Sequence, residues 1–314
     1  MSPKYFVAAL PLYAMSFGAL ANTPAPVALE HQAISAFLET EGPLTRTHNE
    51  FVVEILKQSH DGNHIMGSLT ETVSAASHAA PTSHFFFAHR QGDGWELGIE
   101  GSEDFSAALD RMPLDTIGES ERMALQQGVA AEPEHWRAAG HAVKIGLPWR
   151  AGTAWTMTSG AHGFSGSSRP YNSLDFYSRQ DGNNVRAAAN GTVYTSCARN
   201  GSALVTIVHD NGYRTSYYHM VRLEPLDNGT RVSEGTRLGS VGNGLPCGGS
   251  SSGAHVHFSL LDGQNRPMSV NNVVLGGWTF RTSMFPYQGS AQRANKTVYR
   301  GNPIYNFGSA DPGL

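Results

Sequence analysis

The second half of the chain is a succession of short β-prone runs separated by turn residues, and this pattern restricts what it can fold into. Asn211-Gly212 lies between the apolar run 203–208 and the aromatic run 213–219. An Asn-Gly step between two such runs is the strongest local signal for a type I′ hairpin. Runs 236–241 and 255–261 continue the pattern. We therefore predict a mainly antiparallel β domain from about residue 147 onward, of a size suited to one hydrophobic core.

The first half has a different character. Residues 33–56 have the spacing of a mainly helical segment interrupted at Gly42-Pro43, and Asp93-Gly94 separates two β-prone runs as a hairpin turn. Residues 131–146 are small and polar without periodicity, which is typical of a linker. The histidines of this half show no ligand spacing, so a solvated or structural role is expected for His60, His64, His78, His84 and His89. We predict a smaller α+β unit without catalytic residues.

Charge divides the chain at about the same place. Residues 1–138 contain 7 Lys and Arg against 18 Asp and Glu, a net charge of −11, whereas residues 139–314 contain 15 against 8, a net charge of +7. Opposite charges suggest two units that pair electrostatically. If it is exported, a basic domain would also be attracted to anionic surfaces such as a Gram-positive cell wall. No dense Lys/Arg cluster occurs, so we expect no nucleic-acid partner.

The N-terminus has the composition of a secretory signal peptide. Lys4 is followed by the mostly apolar stretch 5–20, and Ala19-Leu20-Ala21 is a small-x-small cleavage sequence. We therefore predict a signal peptide over residues 1–21 and a secreted, extracellular protein. A membrane anchor is disfavoured because the stretch is short and contains Pro11, and we expect no stable membrane association.

The chain has only two cysteines, Cys197 and Cys247. In an exported protein an even pair more often forms a disulfide than remains as two thiols. We predict one disulfide bond between them, which would close the segment that ends at the glycine-rich loop 247–253.

His255 and His257 are the first candidates for chemistry. Alternate residues of a strand share a face, so two histidines two positions apart point the same way. Side by side, just after the glycine-rich loop, two imidazoles suit a metal site better than a hydrophobic core. For a His-x-His pair alone, a structural role is about as good an interpretation.

Three upstream residues fit the same purpose. Asp175 lies inside an otherwise apolar run, where a half-buried carboxylate needs a partner. His162 lies in a Gly/Ser-rich loop and His219 ends an aromatic run, and each could instead be solvated or bonded to the backbone. Two histidines and one aspartate can complete a catalytic zinc site with a fourth position for water. The helical His-Glu-x-x-His motif is absent.

In this order and spacing, the motifs resemble the lysostaphin-type zinc endopeptidases, and in particular the branch that contains staphylolysin and the beta-lytic metalloendopeptidases. The motifs that carry the resemblance are Leu147-Pro148-Trp149-Arg150, Gly160-Ala161-His162, Leu174-Asp175, Tyr217-Tyr218-His219-Met220 and Gly253-Ala254-His255-Val256-His257-Phe258. It covers about residues 147–314 and implies an antiparallel sheet with a groove. The two cysteines correspond to a disulfide of that branch.

The resemblance also implies residue roles and a life history. One zinc ion per catalytic domain would be bound by His162, Asp175 and His257, with His219 and His255 as the catalytic pair and Tyr287 in substrate binding. Residues 22–138 would be a propeptide that docks over the basic groove and keeps the enzyme latent. Its removal near residues 137–142 would leave the catalytic domain 139–314, beginning around Ala139.

The implied activity is hydrolysis of glycine-rich peptide bonds, such as Gly-Gly bonds in the cross-bridges of Gram-positive peptidoglycan, with a bacteriolytic result. The sequence leaves open an elastin-degrading or general Gly-X protease. A non-catalytic peptidoglycan-binding module is the alternative from another functional class. Peptidoglycan or a glycine-rich protein, and the chain's own propeptide, are the expected partners.

Overall fold

The computed structural model describes residues 22–41, 50–130, 142–163, 166–179 and 183–313. The predicted signal peptide, 1–21, and the predicted mature start at Ala139 lie outside the described residues. What is described is mainly β, as predicted. Among the described helices, none is long and apolar enough to span a bilayer.

The first half forms a five-stranded antiparallel sheet with three helices. The strands lie in chain order across the sheet and are β1 (Thr23–Pro24), β2 (Phe51–Gln58), β3 (His64–Glu71), β4 (Thr82–Gln91) and β5 (Gly94–Ile99). The helices are α1 (Val27–Glu41), α2 (Phe105–Asp110) and α3 (Glu119–Ala130). The α+β character predicted for this half is confirmed.

The predicted helix over residues 33–56 is correct only in its first part. Helix α1 ends at Glu41, and the second apolar group forms strand β2, which pairs with β3. The sequence Phe51-Val52-Val53 is aromatic and β-branched, and such side chains fit a pleated surface better than a helix. Pairing with β3 therefore outweighs the apolar spacing that suggested a helix.

The described residues of the second half form strands and no α-helix. In chain order they are β6 (Ala142–Ile145), β7 (Ala154–His162), β8 (Ser173–Tyr177), β9 (Asn184–Arg186), β10 (Gly191–Arg199), β11 (Ser202–His209), β12 (Arg214–Val221), β13 (Thr230–Val232), β14 (Arg237–Gly244), β15 (Val256–Leu261), β16 (Val274–Leu275), β17 (Trp278–Arg281), β18 (Ser290–Arg293), β19 (Lys296–Tyr299) and β20 (Pro303–Tyr305). The main sheet runs β13-β10-β11-β12-β15-β8-β7-β20, and β14 pairs with β12 and β9. A smaller sheet runs β19-β18-β17-β16-β6.

Both predicted hairpins are present. Gln91 and Gly94 pair across the β4–β5 turn, so its two turn residues are Gly92 and Asp93. Strands β11 and β12 pair with Val208 opposite Arg214, and the His209 amide donates to the carbonyl oxygen of Tyr213, so the loop comprises residues 210–212. Of these only Gly212 has a positive φ, so the hairpin is present but the predicted type I′ turn is wrong.

The end of the predicted linker is a strand instead. Residues 142–145 form β6, which pairs in parallel with β16. Val143 and Ile145 are each 1% exposed and belong to the main core of the second half. Burial of these two side chains outweighs the weak local signal of this segment.

An apolar core joins the two halves. Met66, Phe85 and Phe87 of β3 and β4 pack with Tyr194 of β10 and Val208 of β11. The rings of Phe85 and Tyr194 are tilted, with centroids 4.8 Å apart. The first half therefore lies on the β10–β11 face of the main sheet, with contacts of the kind found in a protein interior.

Charged groups are buried in the same interface. The guanidinium of Arg214 donates to the carboxylate of Glu100, and both residues are almost fully buried. Burial raises the pKa of Glu100, although the charge of Arg214 opposes this change. The amide of Cys197 donates to Glu54 Oε2 over 2.7 Å. The opposite charges of the halves thus meet at least once as a buried ion pair.

The predicted disulfide is absent, because Cys197 and Cys247 are both free thiols. They lie in one buried cluster with Leu204 and Tyr218. The Cys247 thiol is directed at the carbonyl oxygen of Ser196, 4.0 Å from Sγ. Burial raises the pKa of the Cys247 thiol, which keeps its proton on sulfur. The sequence correctly predicted that the two cysteines lie together, but not that both remain thiols.

Candidate metal centre and groove

Four neighbouring strands bring the five predicted side chains together. In the order β12-β15-β8-β7, Asp175 of β8 lies opposite His257 of β15. His162 is the last residue of β7, and His255 directly precedes β15. His219 follows Tyr218, which pairs with His257 across β12 and β15. Residues far apart in the sequence therefore meet because their strands are adjacent.

A bulge in β7 positions His162. Ser159 pairs with Asp175 but His162 pairs with Ser173, so β7 contains one residue more than β8 over this stretch. The bulge contains Gly160, whose amide donates to the carbonyl oxygen of Tyr287 over 3.2 Å. A methyl group on Gly160 would lie 2.1 Å from the carbonyl oxygen of Gln288, so only glycine fits there.

The donor atoms of His162, Asp175 and His257 form a compact triangle. His257 Nδ1 lies 3.1 Å from Asp175 Oδ1 and 3.2 Å from His162 Nε2, and the third side measures 3.5 Å. Ligands about 2.0 Å from a tetrahedral zinc ion lie about 3.3 Å from one another. All three residues are buried, and the triad is a candidate metal site. Its spacing and its N/O donors fit zinc.

The protonation states also suit a cation. Burial raises the pKa of the Asp175 carboxyl, but the neighbouring imidazoles of His162 and His257 outweigh it and hold that pKa well below its usual range. Burial lowers the pKa of His162, against the opposing effect of Asp175. His162 Nδ1 donates to the carbonyl oxygen of Gly160 over 2.9 Å, which leaves the Nε2 lone pair for a metal.

His219 and His255 lie beside the triad as a pair. Their ring centroids are 4.6 Å apart, and His255 Nε2 lies 3.6 Å from Asp175 Oδ1. His219 Nδ1 bonds the carbonyl oxygen of Gly244 over 3.1 Å, and His255 Nδ1 bonds that of Gly253 over 2.7 Å. Burial, reinforced by the charges of His255 and His257, lowers the pKa of His219 to about 3. Both imidazoles therefore have Nε2 available for proton exchange.

Tyr287 covers one side of the triad. Its ring stacks on His162 with centroids 4.5 Å apart and planes 24° apart. Its amide donates to the carbonyl oxygen of Ala161 over 3.0 Å, so the segment pairs with the bulge of β7. Burial raises the pKa of the Tyr287 phenol. The phenol is thus a neutral hydrogen-bonding group at the edge of the site.

Two supporting residues were missed in the sequence. Arg169 Nη2 donates to the carbonyl oxygen of Met284 over 3.1 Å, and Tyr171 Oη donates to the same oxygen over 3.2 Å. The guanidinium of Arg169 also stacks on the Tyr171 ring at 4.4 Å. These contacts fix the segment that leads to Tyr287. No local signal marks them, because they depend on a loop more than 100 residues away in the chain.

Comparison with known proteins finds similarity to peptidases. The sequence model described as Peptidase family M23 matches residues 169–270, which include four of the five site residues. Protease LasA of Pseudomonas aeruginosa is 33% identical over 186 residues, which is 52% of this chain and 41% of that protein. Beta-lytic metalloendopeptidase of Lysobacter enzymogenes is 32% identical over 171 residues, which is 51% of this chain and 92% of that protein.

Among solved structures, the M23 metalloprotease pseudoalterin from the deep sea is 32% identical, with 51% of this chain and 97% of that chain covered and a TM-score of 0.45. The chain spans less than half the length of Protease LasA. The residues that the family model matches, 169–270, lie in the second half, where the candidate metal site is found.

Proposed function

The chain belongs to peptidase family M23, and on that premise we propose that it is a zinc endopeptidase that hydrolyses glycine-rich peptide bonds. The single observation that supports this most is the convergence of three donor atoms on one point, 3.1–3.5 Å apart. Two further imidazoles with Nε2 available lie next to that point. A metal site with adjacent proton-exchanging groups suits amide hydrolysis.

His162, Asp175 and His257 would hold the zinc ion. When bound, zinc lowers the pKa of a water ligand to about 7 and polarises a carbonyl group. His255 is the proposed general base, because its Nε2 lies at the edge of the triad and its Nδ1 is held by Gly253. His219 is proposed to orient the substrate and to help to stabilise the developing oxyanion.

Glycine-rich peptides are the proposed substrates, with Gly-Gly bonds of Gram-positive peptidoglycan cross-bridges first among them. Glycine has no side chain, so a groove can approach an extended glycine backbone closely. The net charge of +7 over residues 139–314 would favour an anionic wall. An elastin-degrading or general Gly-X protease remains the alternative within the same chemistry.

A secreted zymogen is the proposed life history. Residues 1–21 would direct export, residues 22–138 would be the propeptide, and cleavage near residues 137–142 would release the catalytic domain 139–314. The buried Arg214–Glu100 pair and the shared apolar core support close association of the two units before cleavage.

Product mapping tests the proposal. The secreted protein would be incubated with purified pentaglycine-bridged cell wall, with and without a zinc chelator, and the released fragments identified by mass spectrometry. Chelator-sensitive cuts within the glycine bridges are expected. Intact bridges, from protein that contains one zinc ion, would overturn the bacteriolytic assignment and favour elastin-like substrates. Wall binding without hydrolysis of any peptide would overturn the enzymatic proposal.

A further inference from the structure

The loop between β3 and β4 is longer than its hairpin requires. Glu71 and Thr82 face each other across the two strands, so the loop comprises residues 72–81. Hairpin loops usually contain 2–5 residues. The loop runs Thr-Val-Ser-Ala-Ala-Ser-His-Ala-Ala-Pro and consists mostly of small residues. It leaves the sheet of the first half and contacts the peptidase half.

Its first contact is a short piece of β-pairing. Val73 forms a parallel bridge with Gly248. The Val73 amide donates to the carbonyl oxygen of Cys247 over 3.0 Å, and the Gly249 amide donates to the carbonyl oxygen of Val73 over 3.0 Å. Gly248 and Gly249 have φ of 88° and 82°, and a methyl group on Gly248 would lie 2.0 Å from the Val73 oxygen. Glycine therefore permits this close approach of two backbones.

Its second contact crosses toward the metal site. Ser250 Oγ donates to the carbonyl oxygen of Ser77 over 2.9 Å and lies 3.0 Å from His78 Nδ1. A methyl group on Gly166 would lie 3.8 Å from Cβ of His78 and 2.7 Å from the hydroxyl oxygen of Tyr287. The loop thus reaches from the Cys247–Ser250 segment to the neighbourhood of Tyr287, whose ring stacks on His162.

The loop is not needed to hold the halves together, because the shared core and the Arg214–Glu100 pair lie elsewhere. We propose that the segment 247–250 is a binding edge for an extended peptide of small residues, and that the β3–β4 loop occupies this edge in the full-length chain as the inhibitory element. The proposal rests on the proposed peptidase function, since it assigns the groove's peptide-binding edge. Main-chain pairing supplies affinity, and the glycines let the backbone of the bound segment approach closely.

The sharpest test shortens the loop. Replacing residues 72–81 with Asn-Gly would close the β3–β4 hairpin with a two-residue turn and leave the interface intact. The probe is the acetylated, amidated peptide Val-Ser-Ala-Ala-Ser, which copies residues 73–77. The uncleaved shortened chain is expected to bind this peptide about 10-fold more tightly than the uncleaved wild type does, because the edge is no longer occupied. Amide exchange at Gly249 should be fast in the shortened chain and slow again with peptide.

A milder variant guards against misfolding. His78→Ala removes the contact of the loop with Ser250, which the peptide of residues 73–77 does not copy, and should increase peptide binding by a smaller factor. Ser74→Ala is the matched control, because the Ser74 side chain bonds only the amide of Ala76, within the loop. It should bind the peptide as the wild type does.

Hydrolysis of pentaglycine by the uncleaved chains, verified by intact mass, separates the two proposals. Faster hydrolysis by the shortened chain supports the inhibitory role, and equal rates overturn it. Equal peptide binding by the wild type and the shortened chain would overturn the proposal that the segment 247–250 is a peptide-binding edge. If the shortened chain binds peptide but neither it nor the processed protein hydrolyses pentaglycine, the peptidase function fails while the edge stands.

Discussion

Asp175 is the residue on which the site converges. Its Oδ1 lies 3.1, 3.5 and 3.6 Å from imidazole nitrogens of His257, His162 and His255. Two of these imidazoles belong to the candidate metal triad, and the third belongs to the proposed catalytic pair. Substitutions around one carboxylate should therefore separate metal binding from turnover.

His257→Ala should abolish stoichiometric zinc binding. It removes Nδ1, one of three donor atoms, and leaves too few ligands for a stable site. Zinc content after dialysis, measured by atomic absorption, checks this. Stoichiometric zinc in the variant would contradict the assigned ligand.

His255→Ala and His219→Ala should keep zinc but lose turnover by about 10²-fold or more, because each removes a proton-exchanging group and no metal ligand. Zinc content and the kcat of glycine-peptide hydrolysis are measured on the same samples. Loss of zinc from either variant would move that residue into the metal site.

His209 gives a pH test away from the metal. It is fully buried, Nδ1 lies 3.1 Å from the carbonyl oxygen of Asn190 and Nε2 lies 2.8 Å from Thr215 Oγ1. Burial lowers its pKa from 6.5 to about 4. Because the folded pKa is below the unfolded one, the free energy of unfolding should fall as pH falls from 6.5 to about 4, by roughly 2–3 kcal/mol from this group. Over the same pH range, the free energy of unfolding of His209→Gln, measured with urea, should fall by less than that of the wild type. Equal decreases would contradict this role of His209.

The site residues could be singled out because each motif has a chemical signature, whereas their meeting at one site was predicted only through the family resemblance, because no local pattern relates strands so far apart in the sequence. Strand alternation correctly predicted that His255 and His257 lie on one site. At His219 strand β12 is bulged and φ is 65°, so strand alternation does not predict the direction of this side chain. No local sequence pattern predicts the contact of His78 with Ser250, because it depends on the β3–β4 loop reaching the second half of the chain.

At the scale of elements, the β7 bulge connects strand register to metal geometry. One extra residue before His162 shifts that side chain relative to Asp175 of the next strand. Turn residues correctly predicted where the two hairpins lie, because Asn-Gly and Asp-Gly steps act locally, but the turns themselves differ: one comprises Gly92-Asp93 and the other residues 210–212. Strand β2 was missed because its apolar spacing also fits a helix, although its partner β3 is the next strand in the chain. Strand β6 was missed because its partner β16 is distant in the sequence.

Gly160→Ala should weaken zinc binding by about 10-fold or more, because its methyl group would displace the backbone that orients His162. Gly118→Ala is the matched control, since nothing lies within 4 Å of the added methyl group. Competition with a zinc chelator of known affinity measures both variants. Equal affinities would show that the bulge does not set the site geometry.

At the scale of the whole molecule, the two halves are one folded body with a buried ion pair in the joint. Glu100→Gln should lower the free energy of unfolding by about 3–5 kcal/mol, because it leaves the Arg214 charge buried without its counter-charge. Glu96→Gln removes the partner of Arg111 in an exposed pair, and should lower the free energy of unfolding far less. Urea unfolding of both full-length variants checks the difference, and similar losses would contradict the buried role.

The covalent connection between the halves also sets the effective concentration at which their contacting faces meet. While residues 131–141 connect the chain, the two faces meet at the effective concentration of a tethered pair, which is on the order of millimolar. A single cut in that connection makes the same contact bimolecular. Its occupancy then depends on how far the two pieces are diluted, so export into a large volume would drive them apart without any change in the contacts themselves.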